Sequence, residues 1–593
     1  MGMLRWTVRH SGRRGLVGCG TWALALALPA LASAQSGDGW QLHGHDLGGQ
    51  RYSALTAIDT ATVARLVPKW TYHSGVAATF QATPIVSDGV MYVSLPFSGV
   101  AALDAATGRE LWKYKHQSRA AKLCCGPANR GVAVSGGKVY IGTVDGRLVA
   151  LDARTGATVW DVEVAEYQGA TEATTQLKQD SLSRLGTIGT TGVGIAAAPL
   201  VYDGKVFVGI AGVGFGLHLA HGQAVGIAVV GVAGEYGRPG LMAAFDAETG
   251  RPIWKFDVTG PGWEGAFRST TPDGVPLNRD LAAERAAAAK YADAWKYGGG
   301  SIYTTPVVDA ERNLLIFGTG NPSPQMADES RPGDNLYTTS LVALDLRTGG
   351  LVWYYQQVPH DRWGYDVANP PILLDIEYAG QRVPAVAEAA KTGWVYVHDR
   401  RDGRLLFRSE PFVPQRNLFT PPQTGDGVVV APGAAGGAGW SPSAYDSGRQ
   451  LLYVSALHLP TRYIVQEERR PDGSVVRYTS TQNTGEAGGT LTAIDLGAGG
   501  RLRWQVKTDE PLIGGVLATA GGLVFSGVGR GVFAAFDAGN GKRLWSYQCA
   551  AGVNAPPISY SVGGSQYVAV AAGGNAMFGF KEGDMVVAFG LPE

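Results

Sequence analysis

The sequence predicts an all-β fold, an eight-bladed β-propeller made of four-stranded antiparallel blades. One observation is a recurring phrase such as ALDAATGRELW, with copies that end at Trp112, Trp160, Trp254, Trp353 and Trp545 and degraded copies that end at Phe407 and Trp504. A second is the spacing, because Trp112 and Trp160 are 48 residues apart and Trp160 and Trp254 are 94 apart, close to two such periods. A fixed period of this size is typical of a solenoid or a propeller.

The repeated phrase can be interpreted one element at a time. The apolar residue before the Asp ends one strand. The Asp-x-x-Thr-Gly segment predicts a turn, because Asp can accept hydrogen bonds from the backbone that follows it and Gly readily adopts positive φ. The residues up to the Trp predict the next strand, and the indole is large enough to fill the gap between neighbouring sheets.

The third observation is a hairpin phrase that precedes the copies: a Pro or a small residue, a β-rich run, a turn and a second β-rich run. It occurs eight times, although eroded turns leave the blade count open by one. The copies are ATPIVSDGVMYVS, RGVAVSGGKVYIG, AAPLVYDGKVFVG, TTPVVDAERNLLIFG, the stretch from NPPILLD to TGWVYVHD, SPSAYDSGRQLLYVS, GGVLATAGGLVFSG and APPISYSVGGSQYVAV. Between repeats, RDLAAERAAAAKYADAW predicts a helix in an excursion over 262–300.

The N-terminal segment 1–34 predicts a secretory signal. Four arginines between Arg5 and Arg14 precede the apolar run LVGCGTWALALALPAL, and Ala32-Ser33-Ala34 forms a small-residue cleavage site. The alternative, a membrane anchor, is disfavoured because the run is short and Pro29 interrupts it. We therefore expect a signal peptide over 1–34 and a periplasmic propeller over 35–593, with no stable membrane span.

Composition restricts the function classes. Apolar residues make up 45% of the chain, which excludes a disordered low-complexity protein, and a formal net charge of zero argues against nucleic acid as a partner. No Cys-x-x-Cys-His occurs, so covalent c-type haem is not expected. Cys124 and Cys125 are adjacent; bonded, they would close a strained ring of the kind found at functional sites, and the alternative is two buried thiols.

The segment CCGPANRGVAVSGGKVYIG resembles the pyrroloquinoline-quinone (PQQ) dependent alcohol dehydrogenases. The motifs AGEYGRPG, GTGNPSP, RPGDNLY, PHDRWGYDVANPP, TGWVYV and GGVLATAGGLVF extend the resemblance over nearly the whole mature chain. It implies a periplasmic, calcium-dependent quinoprotein that oxidises an alcohol to an aldehyde or ketone by hydride transfer to PQQ. Electrons would then pass to an external acceptor such as a cytochrome c. The alternative function is a non-catalytic propeller scaffold of the cell envelope.

The resemblance also implies which residues hold the cofactor. A disulfide between Cys124 and Cys125 would cover one face of the quinone, and Tyr303 takes the place of the family's tryptophan on the other. Arg130 matches the arginine that meets the cofactor's carboxylates, and Lys391 matches the basic residue beside the quinone oxygens. The further expected cofactor contacts are Gly234, Trp440 and Gln81, the last at the family's early glutamate.

The expected metal ligands are Glu235, Asn321 and Asp366, since calcium prefers carboxylate and amide oxygens. The family's usual catalytic aspartate is Gly364 here, and only the later Asp366 is present. We therefore expect Asp366 to be the catalytic base, with Asp361 in reserve. Because one of the two carboxylates that a trivalent ion would want is missing, the sequence favours calcium over a lanthanide.

Other departures from the family concern the size of the pocket. Ala196, Gly439 and Ile513 stand where the family has threonine, asparagine and tryptophan, so the sequence predicts a wide pocket for a bulky or secondary alcohol. The pair His218 and His221, in a glycine-rich insert before Glu235, could ligate a metal, but a surface loop is the favoured interpretation.

Overall fold

Eight four-stranded antiparallel sheets form the framework of the chain in the computed structural model, which describes residues 39–118, 127–165, 187–189, 193–212, 215–220, 223–229, 238–325, 328–469, 473 and 475–592. We number the sheets as blades in chain order. The strands of blades 1 to 4 are Ile85–Ser87, Val90–Leu95, Gly99–Asp104 and Glu110–Tyr114; Ala133–Ser135, Lys138–Gly142, Arg147–Asp152 and Thr158–Glu163; Leu200–Tyr202, Lys205–Gly212, Leu241–Asp246 and Pro252–Asp257; Val307–Asp309, Leu314–Gly318, Ser340–Asp345 and Leu351–Gln356.

The strands of blades 5 to 8 are Ile372–Tyr378, Gln381–Ala389, Val395–Asp399 and Leu405–Arg408; Ala444–Asp446, Leu451–His458, Gly488–Asp495 and Arg501–Thr508; Val516–Thr519, Leu523–Gly527, Val532–Asp537 and Arg543–Gln548; Ile558–Val562, Ser565–Ala572, Gly583–Gly590 and Val67–Ala78. In blade 8 the strand from the N-terminal part of the chain is the outermost, and Tyr72 lies opposite Val586. This pairing closes the ring, and the predicted propeller is confirmed.

Tryptophans on the outer strands join consecutive blades, as the repeat predicts. The indole of Trp112 in blade 1 donates a hydrogen bond of 3.0 Å to the Ala153 carbonyl, in the Asp-x-x-Thr-Gly turn of blade 2. The turn residue Gly156 has φ +72°, and a Cβ added there would lie 2.5 Å from the Trp112 ring. The same indole-to-turn hydrogen bond is made by Trp70, Trp160, Trp254, Trp353 and Trp504.

The turn chemistry is also as predicted. The Asp104 carboxylate accepts hydrogen bonds from the backbone N–H groups of Ala106 and Thr107, at 3.1 and 2.9 Å, and from the Thr107 hydroxyl at 2.9 Å. These bonds hold the turn in the shape that lets the preceding blade's indole lie against its glycine. Sequence therefore determines local structure and blade-to-blade packing through one short motif.

One axial end of the ring is crossed by the segment 40–53. Its backbone bonds to the first strands of blades 1, 4, 5, 6 and 7, at Val86, Val308, Leu373, Tyr445 and Ala518. The fully buried Arg51 donates to the carbonyls of His43, Val516 and Pro557, at 2.5, 2.9 and 2.6 Å. These bonds tie the segment across the hub and seal that end.

Insertions between the strands add further structure to the eight blades. One three-stranded sheet contains Thr187–Gly189, Phe215–Ala220 and Gln223–Val229, and a second contains Val428–Val430, Thr461–Arg469 and Val475–Asn483. Two short strands lie at blade edges, Tyr52–Ser53 and Val193–Gly194. The one-turn 3₁₀ helices of the described residues are Val63–Arg65, Pro96–Ser98, Ala294–Tyr297, Asp328–Ser330 and Ala576–Phe578.

The predicted helix of the 262–300 excursion forms over Leu281–Ala287, shorter than the helix-forming run. Asp280 begins it by accepting a hydrogen bond from the Ala283 N–H at 3.0 Å. Beyond Ala287 the run continues as turns and as the 3₁₀ segment Ala294–Tyr297, because the helix buries no residue completely and packing does not extend it. Among the described residues, no helix has both the length and the apolar character to traverse a membrane.

Candidate functional site

The hub of the ring holds a cavity of about 990 Å³, and no residue of the segment 40–53 lines it. Its walls come from residues that precede the first strands of blades 1 to 7 and from residues that follow the second strands of blades 4 to 8, which is why residues far apart in sequence meet there. Apart from the reserve base Asp361, the predicted catalytic, cofactor and metal residues that the structure describes line this cavity: Gln81, Arg130, Tyr303, Asn321, Asp366, Lys391 and Trp440. The predicted residues Cys124, Cys125, Gly234 and Glu235 lie outside the described residues.

The charged centre of the cavity is an ion pair between Asp366 and Lys391. The Lys391 Nζ lies 2.5 Å from Asp366 Oδ2 and 3.0 Å from the Gly364 carbonyl oxygen. The Asn321 backbone N–H donates to Asp366 Oδ1 at 2.6 Å. Asp366 is 7% exposed. The three predicted residues therefore meet at one place, with the carboxylate held at both oxygens.

A cation between two aromatic rings forms a second part of the wall. The Arg130 guanidinium carbon lies 5.5 Å from the centre of the Tyr303 ring and 5.3 Å from the centre of the Trp440 ring. Arg130 also donates a hydrogen bond of 2.9 Å to the Tyr303 carbonyl. The arrangement fixes the guanidinium while leaving it at the cavity surface, where it can meet an anionic group.

Two polar atoms of the wall are buried and have no hydrogen-bond partner within the described ranges: Gln81 Oε1 and Trp440 Nε1. An acceptor and a donor left in this state cost free energy unless a bound molecule or water satisfies them. They indicate that the cavity is built for a polar occupant.

Asp361, the reserve base, lies in a turn rather than on the cavity wall. Its carboxylate accepts the backbone N–H groups of Trp363, Gly364 and Tyr365, each at 3.0 Å. Burial raises the pKa of Asp361 to about 6. These bonds make Asp361 the residue that shapes the loop leading to Asp366.

Part of the cavity wall is apolar, and sequence reasoning missed most of this part. Its apolar side chains are Leu457, Leu459, Pro511, Ile513, Met577, Phe578 and Phe580. Only Ile513 was singled out by sequence, together with the small residues Ala196 and Gly439, which also line the cavity. Met577 and Phe578 follow the last hairpin, where the repeat carries no signal, so no pattern could identify them. Gln325 is another lining residue without a sequence signal.

Two further observations concern the insertions. None of residues 262–300 lines the cavity. The short helix Leu281–Ala287 therefore lies away from it. His218 lies in the strand Phe215–Ala220, and His221 lies outside the described residues. Within the described ranges no group of three His, Cys, Asp or Glu side chains is close enough together to hold a metal ion.

The sequence of this chain is similar to sequences of known proteins. The family model for the PQQ glucose/ethanol/alcohol dehydrogenase β-propeller domain matches residues 40–418 and 486–568. The chain is 32% identical to the quinoprotein alcohol dehydrogenase PedH of Pseudomonas putida, over 93% of this chain and 91% of that protein.

Two solved structures add to these results. The crystal structure of the quinohemoprotein alcohol dehydrogenase of Comamonas testosteroni superimposes with a TM-score of 0.73 at 30% identity, over 94% of this chain and 82% of that one. A europium-containing methanol dehydrogenase gives a TM-score of 0.74 at 25% identity, over 94% of this chain and 99% of that one.

Proposed function

Because the chain belongs to the family of PQQ-dependent alcohol dehydrogenases, we propose that it oxidises an alcohol to an aldehyde or ketone in the hub cavity. The observation that carries this proposal is the convergence of Arg130, Asp366 and Lys391 on the lining of that one cavity. A non-catalytic scaffold needs no such group, and the relatives are named as dehydrogenases. Catalysis is therefore the favoured function.

The residues present fit PQQ, a flat aromatic molecule that carries carboxylates. Arg130 and Lys391 supply positive charge at the cavity surface, and Tyr303 and Trp440 supply aromatic surface. The unpartnered Gln81 Oε1 and Trp440 Nε1 supply an acceptor and a donor. When bound, PQQ supplies the two-electron oxidation by accepting hydride from the substrate carbon. The adjacent Cys124 and Cys125 are proposed to cover one face of it.

We propose Asp366 as the base that takes the hydroxyl proton. Its carboxylate is fixed by the Asn321 N–H and by Lys391, so it requires little reorganisation when a substrate binds. Lys391 provides positive charge where negative charge grows during reduction. The proposed metal is calcium, held by Glu235, Asn321 and Asp366, with Gly234 beside the cofactor. Gly364 brings no carboxylate, which favours a divalent over a trivalent ion.

The apolar lining residues of the cavity support a bulky or secondary alcohol as the substrate. This apolar wall can bury an organic group. The small residues Ala196 and Gly439 line the same cavity and leave space in it. Since the chain has no haem attachment motif, we propose an external electron acceptor such as a cytochrome c. The segment 1–34, outside the described residues, supports a periplasmic location.

The test is reconstitution of the purified protein with PQQ and Ca²⁺, followed by dye reduction with methanol, a bulky primary alcohol, a secondary alcohol and a sugar alcohol. We expect PQQ binding, seen as a change in its absorbance, and dye reduction that is fastest with the bulky alcohols. Asp366→Asn should keep PQQ binding and lower turnover by about a thousandfold. A protein that binds no PQQ would favour the scaffold, and strict preference for methanol would refute the wide pocket.

A further inference from the structure

The space next to Gly364 is occupied by the side chain of Gln325. Gly364 has φ +87°, and a Cβ added to it would lie 2.1 Å from Gln325 Nε2 and 3.1 Å from the Ala434 Cβ. A side chain at position 364 would therefore collide with the Gln325 amide. The family resemblance implies a catalytic aspartate at position 364. This chain has glycine there, and the Gln325 amide fills the space that a side chain would occupy.

The Gln325 amide faces the cavity from a fixed backbone. Gln325 is 8% exposed and lines the cavity with Asn321 and Asp366. Its side-chain amide makes no hydrogen bond to another residue in the described ranges, yet neither of its polar atoms is sealed from the cavity. The amide is thus available to a molecule that enters.

Arg331 ties the backbone of Gln325 to the loop that carries Gly364. This arginine is fully buried, and it donates to the carbonyls of Pro324, Gln325 and Asp361, at 2.7, 2.9 and 2.6 Å. Asp361 in turn accepts the Gly364 N–H. One guanidinium therefore holds both sides of the Gln325–Gly364 contact at a constant separation.

Gly364 lies between the Gln325 amide and the Asp366–Lys391 ion pair. Its carbonyl accepts the Lys391 ammonium, which also pairs with Asp366, while its Cα faces the Gln325 amide. Gly364 therefore faces the amide with its Cα and the lysine of the ion pair with its carbonyl oxygen. An amide presents both a donor and an acceptor and carries no charge, so it can bind a hydroxyl group without taking its proton.

We propose that Gln325 is the residue that positions the substrate hydroxyl beside Asp366. The amide binds the hydroxyl and orients it, and Asp366 takes the proton, so the two residues divide the tasks that one carboxylate at position 364 would perform. This inference rests on the proposed function. It also predicts that the contribution of Gln325 is the same for every alcohol, because the hydroxyl is common to all of them.

The first experiment compares the wild type with Gln325→Met, which keeps the length of the side chain and removes the amide, and with Gln325→Asn, which restores an amide. A matched control is Gln482→Met, an exposed residue outside the cavity. Each protein is reconstituted with PQQ and Ca²⁺, and PQQ binding and kcat/KM are measured for a small and a bulky alcohol. Loss of one substrate hydrogen bond lowers kcat/KM by about ten- to a hundredfold.

We expect that loss in Gln325→Met, equal for the two alcohols, with PQQ binding unchanged and partial recovery in Gln325→Asn. A loss confined to the bulky alcohol, or kcat/KM within twofold of an active wild type, would overturn the role of Gln325 and leave the proposed function intact. A wild type that binds no PQQ and oxidises no alcohol would overturn both.

The second experiment tests the contact without activity. Gly364→Ala should lower the Tm in the wild-type background, and by clearly less in a Gln325→Ala background, because the colliding amide is then gone. The remaining loss reflects the positive φ at position 364. Equal losses in the two backgrounds would show that Gln325 does not fill the space beside Gly364.

Discussion

Glu388 offers a direct test of how burial sets the pH dependence of stability in this ring. It lies in the second strand of blade 5, Gln381–Ala389, and is 1% exposed. Its Oε2 accepts a hydrogen bond from the Gln357 amide at 2.7 Å, and its Oε1 has no partner among the described residues. Burial raises the pKa of Glu388 from 4.5 to about 8, against the opposing effect of the hydrogen bond from Gln357.

The direction of the pH effect follows from that raised pKa. Below pH 4.5 the folded and the unfolded chain both hold the proton on Glu388, so no stability is lost. Between 4.5 and about 8 the unfolded chain ionises while the folded chain retains the proton, and the free energy of unfolding falls by about 1.4 kcal/mol per pH unit. The total is about 5 kcal/mol as an upper bound, and about 3 kcal/mol of it is lost by pH 7.

Glu388→Gln should remove this loss, because a neutral amide can still accept the Gln357 hydrogen bond. The assay is thermal unfolding of both proteins from pH 5 to pH 9 in the same cofactor state. The control is Glu377→Gln, an exposed glutamate on the neighbouring strand. We expect the Tm advantage of Glu388→Gln to be small at pH 5 and to grow up to about pH 8. An advantage that does not change with pH, or a variant less stable than the wild type at pH 8, would refute the reasoning.

Three further predictions concern packing and the site. Gly349→Ala places a Cβ 2.5 Å from the Trp254 ring at φ +70°, so it should lower the free energy of unfolding by about 2 kcal/mol or more in a denaturant titration. Arg51→Met leaves three carbonyls without their donor and should cost about 3 kcal/mol or more in the same titration; no change would contradict the seal. Lys391→Met leaves Asp366 Oδ2 without its cation and should lower dye-reduction turnover by about a hundredfold, whereas wild-type turnover would exclude the lysine from catalysis.

The fold could be predicted from the sequence because the blade motif is local. The Asp104 turn forms from bonds within a few residues, and the indole of Trp112 needs only the next such turn. Trp70 was missed because its strand is completed by Gly583–Gly590 at the far end of the chain, so no turn phrase precedes it. The helix was over-extended because propensity alone cannot supply tertiary contacts beyond Ala287.

Some residues of the site could be predicted from the sequence and others could not. Arg130, Asp366 and Lys391 occur in motifs that are recognisable along the chain, and the structure brings them to one cavity. Gln325 and Phe578 could not be found, because each acquires its role from segments distant in sequence. Gln325 matters only through its contact with Gly364, and a contact between two loops leaves no periodic pattern.

The pairing of Val67–Ala78 with Gly583–Gly590 has a consequence for the biogenesis of the protein. The strand Gly583–Gly590 is synthesised after almost all of the polypeptide. Blade 8 cannot form, and the ring cannot close, before this strand is available. The cavity at the hub is therefore complete only after this last strand has paired. Proteolytic removal of Gly583–Gly590 would open the ring and disrupt the cavity as well as blade 8. An intact C-terminal strand is therefore required for the active centre.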